Sequence, residues 1–141
     1  MKNEKSQLQF LDYKIEKIDY KMNRNFDFNM IHDNIGMVQH FTREIQVISN
    51  DEFLLKLEVG IEGEKKNIAP FELTVSILGH FHYDKWQDND DSIKMVKFNA
   101  PAILFPYLRS IITNITATAN ITPYILPTFN MYDLFCENEK K

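Results

Sequence analysis

The sequence APAILFPYLR at residues 100–109 opens the stretch that decides the fold of this chain. From residue 102 onward, apolar side chains recur at the spacing of an α-helix, with polar residues off that face. The apolar face comprises Leu104, Leu108, Ile111, Ile115 and Ala119, and it is widened by Ile103, Tyr107 and Ile112. Pro101 suits a first helical turn, whereas Pro106 removes a hydrogen bond inside the helix. The 3.6-residue period outweighs the β-branched content, and it predicts a helix over Ala102–Ala119.

Three stretches upstream of this helix alternate apolar and polar residues with the period of two that is typical of strands. They are Val38–Ser49, Phe53–Ile61 and Phe71–Tyr83. Asn50-Asp51 separates the first two stretches, and both residues tolerate the positive φ of a tight hairpin. The alternation predicts an antiparallel sheet with one buried face and one wetter face.

A further strand is indicated near the N-terminus, where two alternating runs are out of phase by one residue. The runs are Leu11, Tyr13 and Ile15, and then Ile18, Tyr20 and Met22. Because successive side chains of a strand point to opposite faces, the slip indicates a bulge near Glu16-Lys17, two short strands, or a strand that ends there. Asn23–Gly36 is predicted to be an irregular connection. One helix of the predicted length covers only part of a four-stranded sheet.

The segments on either side of the predicted helix differ in polarity. Lys85–Ser92 is acidic and is predicted to be a solvated loop, and Ile93–Asn99 is ambiguous. After the helix, Asn120–Thr128 contains two prolines and is predicted to be extended, and Asn130–Asn138 fits a short helix. The apolar run Ile121–Phe129 has two interpretations: it packs into the core, or it forms the wall of a binding groove.

Composition and charge restrict the class of protein. The chain has 141 residues, a formal net charge of −4 and a single cysteine, Cys136. It has no basic stripe for nucleic acid, no apolar run long enough to span a membrane, and no cysteine pair for a disulfide. The polar N-terminus Met1–Gln9 lacks the apolar core of a signal peptide. We therefore expect one cytoplasmic domain over residues 1–141, without membrane insertion or nucleic-acid binding.

Candidate catalytic groups are few. His80-x-His82 places two imidazoles on one face of a predicted strand, which is a plausible metal-binding arrangement. A third ligand would have to come from His32, His40 or a carboxylate. No H-E-x-x-H motif, nucleophile elbow or glycine-rich phosphate loop accompanies them. The favoured interpretation places both histidines on the polar face of the sheet, and we expect no enzyme, no cofactor and no metal.

Two motifs carry a resemblance to a known family. The run PAILFPYLR at residues 101–109, the Thr- and Ile-rich helix after it, and LPTFNMYDLF at residues 126–135 resemble the C-terminal half of SecB, the bacterial export chaperone. The motifs span residues 98–136, and upstream of them only the order of strands agrees. The resemblance implies an α+β fold with a four-stranded antiparallel sheet, one long helix, a crossover loop and a short C-terminal helix.

The resemblance also implies a function and a set of site residues. SecB proteins are dimers of dimers that hold non-native polypeptide, without nucleotide, in grooves beside the crossover loop and the second helix. The client-binding residues that the resemblance implies are Tyr124, Leu126, Pro127, Leu134 and Phe135. The residues that it assigns to a homotetramer interface are Tyr107, Leu108, Ile111 and Ile115. If Tyr124, Leu126 and Leu134 line a groove, we expect them to be partly exposed when no client is bound.

The charge of this chain departs from that of the export chaperone. Lys56 and Glu58 alternate on the predicted sheet face, where the export form is acidic and docks the SecA motor. The sequence is therefore interpreted as a divergent SecB-like chaperone, an ATP-independent holdase that binds unfolded clients. SecA and the antitoxin of a toxin–antitoxin module are its candidate partners. The competing interpretation is a small oligomeric scaffold protein that binds one folded partner.

Overall fold

The computed structural model describes residues 8–29, 35–65, 68–84 and 90–139, and of residues 136–139 it describes the backbone alone. The strands are β1 (Leu8–Met22), β2 (Met37–Val47), β3 (Glu52–Gly63) and β4 (Phe71–Tyr83). They form an antiparallel sheet in the order β1-β4-β3-β2, so β1 and β2 are its edges. The helices are α1 (Asp90–Lys94), α2 (Ala100–Thr118) and α3 (Met131–Glu139). The predicted α+β fold is confirmed.

β1 is one continuous strand that carries two bulges against β4. Its pairing register slips between Phe10 and Asp12, and again between Ile15 and Lys17. The second slip confirms the bulge that the sequence predicts, so the interpretations of two short strands or an early strand end are wrong. Because each bulge inserts one extra residue, apolar side chains on both sides of it return to the same face of the sheet.

The helical run is longer than the prediction, because it begins at Asp90 and continues to Thr118. α1 leads into a π-helical turn, Met95–Asn99, which leads directly into α2. Residues 90–92 are therefore helix and not loop, whereas residues 85–89 of the predicted loop lie outside the described residues. In a regular α-helix the N–H of residue 101 would bond to the carbonyl of Lys97. Pro101 has no N–H, and the guanidinium of Arg43 donates to that carbonyl.

α2 packs on the inner face of the sheet, against β3 and β4. Its buried side chains include Leu104, Phe105, Leu108, Ile112 and Thr116. The approach is close at Gly79 of β4, where a Cβ atom would lie 2.5 Å from Leu104 Cδ1, so a larger residue does not fit. On the predicted apolar face Ile112 is fully buried, whereas Ile111 and Ile115 are half-buried and pack against the edge of the core.

α2 ends in a Schellman turn. Asn120 has a φ of 63°, and within the described ranges it is the one non-glycine residue with a positive φ. Its N–H bonds to Ala117 O at 3.1 Å, and the N–H of Ile121 bonds to Thr116 O at 3.4 Å. The β2–β3 hairpin therefore forms without the positive φ that Asn50-Asp51 was expected to supply. In the described part of the chain, no helix has both the length and the apolar character needed to cross a membrane.

Candidate functional site

Residues 121–130, which we call the crossover segment, have no regular secondary structure and run beside α2. Two threonines of α2 hold this segment at Tyr124. The N–H of Tyr124 donates to Thr116 Oγ1 at 2.8 Å, and Thr113 Oγ1 lies 3.1 Å from the carbonyl oxygen of Tyr124. The Tyr124 hydroxyl accepts a hydrogen bond from the side-chain amide of Gln39 on β2. These contacts fix Tyr124 between the helix and the sheet.

The residues predicted to bind client differ in their exposure. Leu126 is 0% exposed and Phe135 is 4% exposed, whereas Tyr124 and Leu134 are half-buried and Pro127 is exposed. The expectation of partial exposure is therefore wrong for Leu126. Leu126 lies in the same buried cluster as Phe135, and complete burial of a leucine side chain contributes about 1.5–3 kcal/mol to the free energy of unfolding. Leu126 is accessible to a binding partner only if this cluster opens.

α3 is held against the π-helical turn by an arginine that the sequence pattern did not single out. The guanidinium carbon of Arg43 lies 5.2 Å from the ring centre of Phe98 and 4.5 Å from that of Phe135. Tyr132 of α3 also contacts Phe98, with the ring centres 4.8 Å apart. We call Arg43, Phe98 and Phe135 the Arg43 clamp. Its signal in the sequence was a charged residue at a position of β2 where the alternation predicts an inward-facing side chain.

An open groove of about 510 Å³ lies between α2 and the crossover segment. α2 contributes to it Phe105, Pro106, Arg109, Ser110, Thr113 and Asn114. The crossover segment contributes Ile125, which is 62% exposed, and Thr128. Within the described ranges, six backbone N–H groups of this segment have no hydrogen-bond partner, and they belong to Thr122, Ile125, Leu126, Thr128, Phe129 and Asn130. Two of these residues, Ile125 and Thr128, line the groove, which also has apolar surface.

The residues predicted to form the oligomer interface do not share one exposed surface. Leu108 is fully buried against the sheet, whereas Tyr107 is exposed and the two isoleucines of the set are half-buried. The Tyr107 ring contacts β1, with its centre 4.9 Å from that of Tyr13. On the same side of the sheet, β1 exposes three residues that pair with buried positions of β4. These three, which we call the β1 apolar face, are Ile15, Ile18 and Met22.

His80 and His82 do not converge on a common ligand position. His80 Nε2 lies 3.3 Å from Glu52, whereas His82 Nε2 lies 3.1 Å from both Asp51 and Asp84. His40 pairs separately with Glu62, and His32 lies outside the described residues. The hydroxyl of Ser49 and then the imidazole of His82 hold the pKa of Asp51 below its usual value of 3.8. The two histidines therefore share no ligand position, and their separate contacts with carboxylates fit the interpretation that places them on the polar face of the sheet.

The outer face of the sheet carries a mixed-charge contact at the second bulge of β1. Glu16 is the extra residue there, and its carboxylate lies 3.3 Å from Lys56 Nζ on β3. Ser76 on β4 donates a hydrogen bond to the same carboxylate at 3.1 Å. The carboxylate of Glu16 raises the pKa of Lys56, so the lysine stays charged. Glu58 and Glu44 also raise the pKa of Lys56, so at this position one lysine lies among three carboxylates.

Comparison with known proteins assigns the chain to a family. The profile of the family described as Preprotein translocase subunit SecB matches residues 33–141. The chain belongs to the SecB family, and this membership supports a chaperone-like role. The chain is also 31% identical over 140 residues to the uncharacterized protein MJ0357 of Methanocaldococcus jannaschii, and the alignment covers 96% of this chain and 87% of that protein.

A solved structure of another protein shares this fold. It is the Rv1957 SecB-like chaperone of Mycobacterium tuberculosis in complex with a ChAD peptide from the Rv1956 HigA1 antitoxin. The TM-score is 0.67 at 11% sequence identity, and the superposition covers 86% of this chain and 90% of that one. At this identity the likeness establishes the fold alone.

Proposed function

We propose that this protein is an ATP-independent holdase that binds extended segments of non-native polypeptide. The observation that carries the proposal is the open groove between α2 and the crossover segment. One wall of that groove is an extended chain with free backbone N–H groups and an exposed isoleucine, Ile125. An unfolded segment can hydrogen-bond to such a wall through its own backbone and can bury apolar side chains beside it.

The chemistry of the groove fits a binder of broad specificity. Backbone donors recognise any extended chain. Burial of apolar surface contributes about 25 cal/mol per Å² to the binding free energy, whichever apolar side chain is buried. Neither contribution depends on a unique client sequence. The set of client-binding residues in this proposal is centred on the groove, with Tyr124 and Pro127 at the crossover segment and Leu134 on α3. In this proposal, Leu126 and Phe135 contact a client only after the contacts of the Arg43 clamp have opened.

A dedicated client, such as an antitoxin, is the form of this function that we favour over general export. The structural relative from Mycobacterium tuberculosis is bound to an antitoxin peptide, which supports this choice by analogy of fold.

We further propose that the protein assembles as a homotetramer, with a dimer as the smaller unit. α2 leaves the β1 apolar face uncovered, and symmetric association is the common way to bury such a surface. Ile115→Asp, at the flank of α2, should reduce the assembly to smaller units because a buried interface would then hold an unpaired charge. Thr118→Asp, at an exposed position of the same helix, is the control. A wild-type monomer in light scattering at micromolar concentration would refute the assembly.

Suppression of aggregation tests the proposed function. The protein is added to several unrelated proteins as they are diluted from denaturant, and turbidity is followed without nucleotide. A holdase should suppress aggregation of several of them at a near-stoichiometric ratio. Suppression of none, together with tight binding of one folded protein in a pull-down, would favour the scaffold interpretation.

A further inference from the structure

Two carboxylates and one imidazole converge where the β2–β3 hairpin meets the end of β4. His82 Nε2 lies 3.1 Å from Asp51 Oδ2 and 3.1 Å from Asp84 Oδ1, and ligand atoms of the three residues all lie within 4.8 Å of one another. The Nδ1 atom of the same ring is buried, so Nε2 is the nitrogen that is available to a ligand. One nitrogen and two oxygen atoms therefore surround a single position at the edge of the sheet.

The charge of this cluster is not balanced. An imidazole offers at most one proton at Nε2, whereas two carboxylate oxygens lie at the same distance from that atom. In the part of the chain that the structure describes, no lysine or arginine pairs with either carboxylate. The hydroxyl of Ser49 and then the imidazole of His82 lower the pKa of Asp51, so this carboxylate stays ionised. A divalent cation would supply the two positive charges that balance the carboxylates.

Hydrogen bonds of the hairpin hold Asp51 in position over the end of β4. The N–H of Tyr83 donates to the carbonyl oxygen of Asp51 at 2.7 Å, and the hydroxyl of Ser49 donates to Asp51 Oδ1 at 2.9 Å. The second carboxylate oxygen, Oδ2, is the one that lies beside His82. His82 and Asp84 are two residues apart at the end of β4, which places them on the same face of the extended chain. The three side chains are therefore brought together by the fold itself.

We propose that Asp51, His82 and Asp84 bind a divalent transition-metal cation, for which Zn²⁺ is the best match. Zn²⁺ binds imidazole nitrogen and carboxylate oxygen at about 2.0–2.2 Å, and its tetrahedral geometry places such atoms roughly 3.4 Å apart. The nitrogen–oxygen distances of 3.1 Å are close to that separation, so small rotations of the two exposed carboxylates complete the site. Ca²⁺ and Mg²⁺ are poorer occupants, because both prefer oxygen ligands.

The bound cation ties the β2–β3 hairpin to the end of β4, and three protein ligands leave one coordination position for water. None of the three residues lines the groove beside α2, so the inference does not depend on the proposed function. It departs from the expectation of no metal, because the sequence pattern paired His82 with His80 and could not place two aspartates beside it.

The test titrates the full-length protein with Zn²⁺ in competition with a chromophoric chelator, in a Cys136→Ser background that removes the single thiol. The protein should bind one Zn²⁺ per chain, and the ring resonances of His82 should shift in NMR spectra while those of His80 stay in place. His82→Gln should weaken binding by about tenfold or more, because even the loss of a group that orients a metal ligand costs that much. Asp84→Asn, at an exposed position after β4, should have the same effect, and it provides the test if His82→Gln does not fold.

His80→Gln is the matched control, because His80 lies on the same strand and the same face but contacts Glu52. It should keep the affinity for Zn²⁺. The midpoint of thermal unfolding should rise with Zn²⁺ in this control, and it should stay unchanged in His82→Gln. Absence of binding at submillimolar Zn²⁺ overturns the inference and assigns the three side chains to an ordinary ion-pair cluster. Binding that survives in both His82→Gln and Asp84→Asn, or that is lost equally in His80→Gln, also overturns it.

Discussion

The two sides of the crossover segment differ in solvent exposure. Leu126 points into a closed cluster and is 0% exposed, while its neighbour Ile125 is 62% exposed and lines the groove. The residues are both aliphatic and adjacent, so hydrophobicity alone does not distinguish them. The threonine contacts at Tyr124 and the packing of α3 decide which one is buried. In this extended segment, one side chain therefore packs in the core and its neighbour lies on an open surface.

The largest expected effect is on the buried side. Leu126→Ala removes a fully buried side chain, and it should lower the free energy of unfolding by about 2–5 kcal/mol, since a cavity remains. Urea denaturation at a fixed protein concentration measures this change, because assembly makes stability depend on concentration. Ile125→Ala is the matched control. If the two variants lose the same stability, the contrast between the sides is wrong.

A smaller effect is expected where α3 is attached. Arg43→Met keeps an apolar stem but removes both ring contacts and the hydrogen bond to Lys97 O. The loss should be about 1–2 kcal/mol, and it should appear first as faster amide exchange in α3. Arg24→Met serves as the control. Unchanged exchange in α3 would show that the Arg43 clamp does not hold the helix, and client access to Leu126 would need another route.

The smallest effect on stability, together with a clear effect on binding, is expected on the exposed side. Ile125→Ser should change the free energy of unfolding by no more than about 0.5 kcal/mol, because its side chain is already solvated. Affinity for an unfolded peptide should fall, since the groove loses apolar surface. Thermal unfolding and peptide anisotropy on the same sample separate the two quantities. Unaltered peptide affinity would remove Ile125 from the client site.

The sequence predicted the parts of the structure that repeat, and it missed those set by single long-range contacts. Alternation located β2, β3 and β4, and the phase slip located the bulge at Glu16. The inward-facing Arg43 broke the alternation of β2, but nothing in the sequence placed Phe98 and Phe135 beside it. The π-helical turn was missed for the same reason. At this turn the guanidinium of Arg43 from β2 donates to the carbonyl of Lys97, and residue 101 cannot donate to it because proline has no N–H.

The candidate site was predicted only in outline. The two prolines indicated an extended segment, its polar content was low, and the resemblance assigned it to a groove. The face that each residue presents could not be predicted, because an irregular segment has no fixed period. Leu126 was therefore expected to be partly exposed. Arg109 was seen as a polar position of the helix, and its place in the groove became visible only once the crossover segment lay beside α2.

Residue-resolved amide exchange by NMR, with and without a saturating unfolded peptide, tests the central claim most directly. The free N–H groups of Ile125, Thr128 and Phe129 should exchange more slowly in the complex, because the client backbone accepts their hydrogen bonds. Protection that appears on β1 around Ile15 and Ile18, with no change at these three amides, would contradict the account and move the client site to the β1 apolar face.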